Sequence, residues 1–227
     1  MNRTTTMTAA LAAAITAVAG AARAETPGIT HALGVEAGGS NADLGGGLSY
    51  AMRFPGGVQL GLAGRAGTPL EAYVSGYRVE GGAYARGALL LALPLWQGDS
   101  TEIGLSIVSG ARGLWATEPD SVARTSMAWT NEIGPIVAVR AAPWLTIRAG
   151  WLAIYHMQLD PTFDTDAMGA RLYAGPAFQL SDRVQVFAEA SGAGVVGYDG
   201  DGGKWVLSGT LGARFLFGSG ARAWRLF

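Results

Sequence analysis

Arginine is the residue whose distribution first suggests a chemistry for this 227-residue chain. Arginines recur in segments where apolar residues alternate with small or polar ones, and they fall in the less apolar set together with four glutamates. Such a row of charges on one face of a sheet could line a passage that selects anions or polar solutes. It could also fill an interior through arginine–glutamate pairs, with tyrosine hydroxyls and backbone carbonyls as further partners. The residues of this set are Arg53, Arg65, Arg86, Arg112, Arg140, Arg148, Arg171, Arg214, Glu36, Glu102, Glu132 and Glu189.

Other groups with chemical potential are sparse, and we predict no metal site and no cofactor. His31 and His156 fall at opposite ends of their segments and cannot form a metal pair. The acidic stretches Asp160–Asp166 and Asp199–Asp201, together with Glu118 and Asp120, could offer oxygen ligands to Ca²⁺ or Mg²⁺. The stretch 199–203 is short of a full EF-hand loop, which needs more ligands and a distal Glu, so we interpret these residues as solvated turns.

The charged residues belong to ten segments whose side chains alternate with period 2, the pattern of β-strands. In one of them, Leu89, Leu91, Leu93 and Leu95 form one face, and Tyr84, Arg86 and Pro94 form the other. The segments are 30–38, 44–54, 58–66, 82–96, 101–112, 129–141, 145–156, 168–180, 184–195 and 205–217.

The connections between the segments alternate between short turns and longer loops. Tight turns are predicted at Pro55-Gly56-Gly57, 97–100, 142–143 and 181–183, and longer links at 67–81, 113–128, 157–167 and 196–203. Only the first link, 39–43, breaks the alternation. Short turns at one end and long loops at the other are typical of transmembrane barrels, which must close because an open edge has no hydrogen-bond partners in lipid.

We therefore predict an all-β fold, a closed antiparallel transmembrane β-barrel of about ten strands, with short periplasmic turns and longer outer loops. Eight strands are the alternative, because Thr30–Gly38 is the weakest segment. Aromatic residues near segment ends, such as Trp96, Trp144 and Trp205, fit interfacial girdles. A soluble β-sandwich would also alternate, but its outward face should carry many Lys and Glu, and here Lys204 is the only lysine.

The N-terminus predicts a secretory leader. Arg3 precedes an apolar stretch, Met7–Gly20, and Ala22-Arg23-Ala24 is a small-residue cleavage site. The predicted organisation is a signal peptide over 1–24 and a barrel domain over 25–227. The absence of Cys excludes a disulfide framework, and the slightly acidic balance gives no reason to expect nucleic acid.

In these segments and aromatic ends the chain resembles the small bacterial outer-membrane β-barrel proteins. Proteins of that class commonly end in a strand whose last residue is Phe, which the barrel-assembly machinery reads. Phe227 fits, although Arg225 stands where an apolar residue is expected; alternatively Phe217 closes the barrel and 218–227 is a tail. The resemblance implies an outer-membrane location and contact with lipid and lipopolysaccharide.

For function, we expect a porin-like or structural membrane protein without enzymatic activity, and leave open whether its interior is filled or conducts small polar or anionic solutes. One alternative is a lipid-modifying enzyme at the outer rim. The lipid A deacylases carry a Ser two residues after their His, but Gln158 stands at that place after His156. The other alternative is a surface-binding or adhesion protein acting through its long loops.

Overall fold

The computed structural model of the chain describes residues 28–41, 43–69, 72–74, 77–79, 82–117, 123–159, 166–197 and 203–218. These residues form twelve β-strands. Their bounds are β1 Thr30–Ser40, β2 Asp43–Arg53, β3 Gln59–Pro69, β4 Ala72–Val74, β5 Tyr77–Val79, β6 Gly82–Gln97, β7 Thr101–Thr117, β8 Ala123–Ala142, β9 Leu145–Gln158, β10 Ala167–Ser181, β11 Val184–Gly197 and β12 Lys204–Gly218. None of the described residues forms a helix long and apolar enough to span a membrane.

Ten of these strands form one closed antiparallel barrel, in the order β1-β12-β11-β10-β9-β8-β7-β6-β3-β2. The first strand closes it, because β1 pairs with β2 on one side and with β12 on the other. The short strands β4 and β5 form a separate hairpin in the connection between β3 and β6. The prediction of ten barrel strands is confirmed, and the weak segment Thr30–Gly38 is paired along its whole length on both sides.

The connections differ at the two ends of the barrel, which we call the turn end and the loop end. At the turn end, the turn after β2 contains Gly56 and Gly57 at φ values of +87° and +90°, a region that other residues rarely adopt. At the loop end, the predicted long link over 113–128 is shorter than expected. The pairing of β7 with β8 continues to Thr117 opposite Ala123, so only five residues, 118–122, connect them. Paired strands can extend beyond the bilayer, since a ladder satisfies its backbone in water as well as in lipid.

The outward face carries large apolar side chains that are exposed on the isolated chain. Leu62, Leu89, Leu172 and Leu211 are more than half exposed, which suits a surface that lies in lipid. Aromatic side chains lie at both ends of this face. Trp144 stacks on Phe178 at the turn end, with ring centroids 6.1 Å apart. The outward-facing aromatic residues near the loop end include Trp115, Tyr155 and Trp205.

Two Gly-Pro pairs interrupt the hydrogen-bond ladders between neighbouring strands. The pairing of β8 with β9 skips Gly134-Pro135, and that of β10 with β11 skips Gly175-Pro176. Proline has no N–H to donate, which accounts for the gaps. Between them the outer surface has an apolar depression of about 760 Å³. Its lining includes Ile103, Pro135, Ala149, Trp151, Leu172, Ala174, Ala190 and Leu207.

The inward face mixes small apolar side chains with buried polar ones. Ala92, Ile136, Ala138 and Leu152 form one buried apolar cluster, against which Tyr173 packs. The buried polar residues of the same interior include Gln59, Glu102, Glu132, Arg148 and Gln185. The candidate site is therefore the charged interior of the barrel.

Candidate functional site in the charged interior

Three arginines lie side by side in the loop-end half of the interior. Arg65 on β3 is directly opposite Arg86 on β6, which is directly opposite Arg112 on β7. We call these three residues the arginine row. Opposed residues on neighbouring antiparallel strands have Cβ atoms about 4.5–5.5 Å apart, and like charges placed so are destabilising. The positive charge of the row therefore has to be compensated by other groups of the interior.

Tyr84 lies one inward position nearer the loop end and contacts two members of the row. Arg65 donates through Nε to the Tyr84 hydroxyl at 3.0 Å and through Nη2 to the carbonyl of Gly38 at 2.9 Å. The Arg112 guanidinium lies over the Tyr84 ring, 5.4 Å from its centroid. An aromatic face attracts a cation, so Tyr84 compensates part of the charge without a carboxylate.

Glu132 on β8 joins the middle of the row to the opposite wall. It accepts from Arg86 Nη2 at 2.7 Å and forms an ion pair with Arg171 Nη2, also at 2.7 Å. Since Arg86 is on β6 and Arg171 is on β10, these contacts pass over β7 and β9 and lie inside the barrel. Glu132 is only 3% exposed. The three side chains form a bridge across the interior, which we call the Glu132 bridge.

The turn end contains a second ion pair. Arg53 on β2 donates to both oxygens of Glu102 on β7, Nη1 to Oε2 at 3.1 Å and Nη2 to Oε1 at 2.9 Å. Gln97 also donates to Glu102 at 3.2 Å, and Glu102 is 1% exposed. Because β3 and β6 lie between the two partners, this pair also spans part of the interior.

Also in the turn-end half, the ring of Phe187 on β11 contacts two guanidinium groups. The Arg214 guanidinium is 4.4 Å and that of Arg148 is 5.2 Å from the Phe187 ring centroid. Glycines make this stack fit. Gly175 is directly opposite Arg148, so that guanidinium can reach across β10, and the Phe187 ring occupies the space that a side chain at Gly212 would need.

Arg148 is the least compensated cation of this stack. It is 5% exposed, and its Nε and Nη2 have no hydrogen-bond partner among the described residues. Arg214 donates weakly to Gln185 at 3.4 Å. Neither guanidinium has a carboxylate within ion-pair distance in the described parts of the chain.

Three of the charged residues predicted to face inward, Glu36, Glu189 and Arg140, do not take part in the short side-chain contacts described above. Glu36 is 3.9 Å from Arg65, as is Asp43, which the sequence did not single out because 39–43 was expected to be a link. Glu189 is partly buried on β11, opposite Thr210. Arg140 is at the turn end of β8, where its backbone N–H donates to Ser100 at 2.6 Å.

Sequence reasoning missed Phe187. It stands between Gln185 and Glu189 in the less apolar set of β11, and a lone aromatic residue among polar alternate positions is a signal that could have pointed to it. The two histidines lie at opposite ends. His31 stacks on Phe217 and bonds to the Tyr50 hydroxyl at 2.7 Å, and His156 contacts the Thr130 hydroxyl at 3.0 Å.

The described residues contain no group of three metal-ligating side chains. Most of the acidic loop residues that could hold Ca²⁺ or Mg²⁺, including Glu118, Asp120 and Asp199, are outside the described residues.

No protein-family model matches the chain, and no curated protein matches it. Solved structures to which it is similar are bacterial outer-membrane barrels. The translocator domain of the autotransporter NalP from Neisseria meningitidis has a TM-score of 0.47 and 12% identity, over 93% of this chain and 96% of that one. The outer-membrane protease OmpT from Escherichia coli has a TM-score of 0.46 and 8% identity, over 83% and 96%. The KdgM porin in complex with oligogalacturonate has a TM-score of 0.39 and 9% identity, over 81% and 98%. The likeness concerns the barrel fold and transfers no residue role.

Proposed function

We propose that this chain is an integral outer-membrane barrel of the porin-like or structural kind whose interior is closed by its own side chains. The observation that carries the proposal is the Glu132 bridge, in which one buried carboxylate contacts arginines from both sides of the interior. A passage for solutes needs side chains that water can reach. Glu132, Glu102 and Arg148 are instead almost fully buried.

The proposal places the strands in the bacterial outer membrane, after removal of a leader that ends near Ala24. Outer-membrane lipid and lipopolysaccharide would surround the exposed leucines of the outward face, and the barrel-assembly machinery would act on the C-terminal strand. The proposed role requires no cofactor and no enzymatic activity.

A second candidate function is an anion-selective pore. The arginine row favours it, because cations at the mouth of a passage concentrate anions and exclude cations. The two candidates differ in one measurable property, the conductance of the unmodified protein.

Planar-bilayer recording of the purified protein tests the proposal. We expect no stable channel steps from the unmodified protein, and small steps from Arg171→Ala, because this change removes one side of the Glu132 bridge and leaves Arg86 to hold the carboxylate. The matched control is Arg183→Ala, an exposed arginine in a turn at the other end, which should remain silent. A steady anion-selective current from the unmodified protein, unchanged in Arg171→Ala, would contradict the closed interior and favour the pore.

A further inference from the structure

Among the residues that the structure describes, the arginines in the loop-end half of the interior outnumber the carboxylates near them. Four arginines, the row and Arg171, share three carboxylates, Glu36, Asp43 and Glu132. Glu132 is divided between Arg86 and Arg171, and the other two carboxylates are 3.9 Å from Arg65. At that separation the partly exposed pairs hold Arg65 only weakly.

Arg112 has none of these three carboxylates within ion-pair distance. It has no hydrogen bond and no ion pair with any residue that the structure describes, and its contact is the Tyr84 ring. It is partly exposed, so its donors remain available. A guanidinium whose N–H donors are not engaged by another group is suited to planar, bidentate binding of phosphate or carboxylate oxygens.

The inward positions beside the row carry only small residues. The next inward positions toward the turn end are Ala63, Ala88 and Gly110, which are directly opposite one another on β3, β6 and β7. None of them has a side chain that could fill the volume next to the guanidinium groups. Thr130 follows in the same register opposite Gly110, and its hydroxyl lies 3.0 Å from His156.

We propose that the arginine row, Arg65, Arg86 and Arg112, forms a binding site for a small oxyanion, with the Arg112 guanidinium as its principal donor. The ligand is a phosphate- or carboxylate-bearing group that enters from the loop end and lies over Ala63, Ala88 and Gly110. It compensates the cation that the carboxylates of the described residues leave without an ion pair. The site goes beyond the proposed function, because it requires only an open loop end and holds whether or not the interior conducts.

The test measures the thermal unfolding midpoint of the purified protein in detergent, with inorganic phosphate as the probe and chloride at matched ionic strength as the reference. Phosphate should raise the midpoint of the unmodified protein by roughly 2–4 °C at saturation, since a ligand that binds only the folded state stabilises it. Acetate in a third arm separates a carboxylate ligand from a phosphate ligand. Arg183→Gln, the exposed turn arginine, is the control and should respond like the unmodified protein.

Arg112→Gln should behave differently in the two conditions. In chloride its midpoint should stay close to that of the unmodified protein, because the relief of repulsion within the row offsets the lost contact with the Tyr84 ring and no ion pair with a described residue is broken. In phosphate or acetate it should fall below, because the response is lost. An equal rise in Arg112→Gln and the unmodified protein would mean a general salt effect and would overturn the site. The absence of any rise in the unmodified protein with either oxyanion would overturn it as well.

Discussion

The two halves of the interior use the same residue type in different ways. At the turn end, Arg53 holds both oxygens of a buried glutamate, and Arg148 and Arg214 both lie over the ring of Phe187. At the loop end, the arginine row sets three like charges side by side, and one of them has no carboxylate of a described residue within ion-pair distance. The turn end is packed like a protein core, whereas the loop end keeps cationic groups available to a ligand.

The difference follows from where water is excluded. A buried charge without a partner costs several kcal/mol, so turn-end cations must be paired or stacked on an aromatic ring. Loop-end cations are partly exposed, and water screens their repulsion. The comparison therefore predicts that equivalent substitutions cost more stability at the turn end than at the loop end.

Removing one glutamate from each half should give the largest contrast. Glu102→Gln should lower the free energy of unfolding by about 3–5 kcal/mol, because it leaves Arg53 largely buried with no anionic partner. The matched loop-end change, Glu36→Gln, should cost less than about 1 kcal/mol, since that carboxylate is 31% exposed and 3.9 Å from its arginine. Urea unfolding of the detergent-folded barrel measures both. Equal losses would show that the two halves are not differently packed.

Phe187 tests the stacked cations of the turn end. Phe187→Leu keeps most of the apolar volume but removes the ring face, and we expect a loss of about 2 kcal/mol from the two cation–π contacts. A double-mutant cycle with Arg214→Met isolates one of these contacts. If the effects of the two substitutions simply add, the ring does not stabilise the arginine.

The sequence predicted the strands much better than their contacts. Period-2 alternation located all ten barrel strands, and each begins within a few residues of its segment except β8, which starts at Ala123 rather than Trp129. Alternation carries this information because a side chain of the wrong polarity would face lipid. The alternation did not predict the loop-end parts of β7 and β8, which extend beyond their predicted bounds.

The sequence did not predict which charged side chains contact one another inside the barrel. Which arginine meets which glutamate depends on the stagger between neighbouring strands, and in a barrel the stagger is a property of the whole closed sheet. The alignment of Arg65, Arg86 and Arg112 and the reach of Arg53 across β3 and β6 both follow from that stagger. No local pattern encodes either of them.

A smaller loss than at Glu102 or Phe187 is predicted at Tyr84, where the loop end comes nearest to core packing. Tyr84→Phe removes the hydroxyl that accepts from Arg65 at 3.0 Å but keeps the ring under Arg112. We expect a loss of about 1 kcal/mol in the free energy of unfolding, the usual net contribution of one hydrogen bond. Tyr173→Phe is the control, because the Tyr173 ring also lies beside an arginine, Arg171, at 5.6 Å, while its hydroxyl has no hydrogen bond to a described residue. A loss in Tyr84→Phe as large as that in Glu102→Gln would place Tyr84 with the buried network of the turn end. A change no larger than that in Tyr173→Phe would mean that water replaces the hydroxyl and that the ring alone compensates the arginine row.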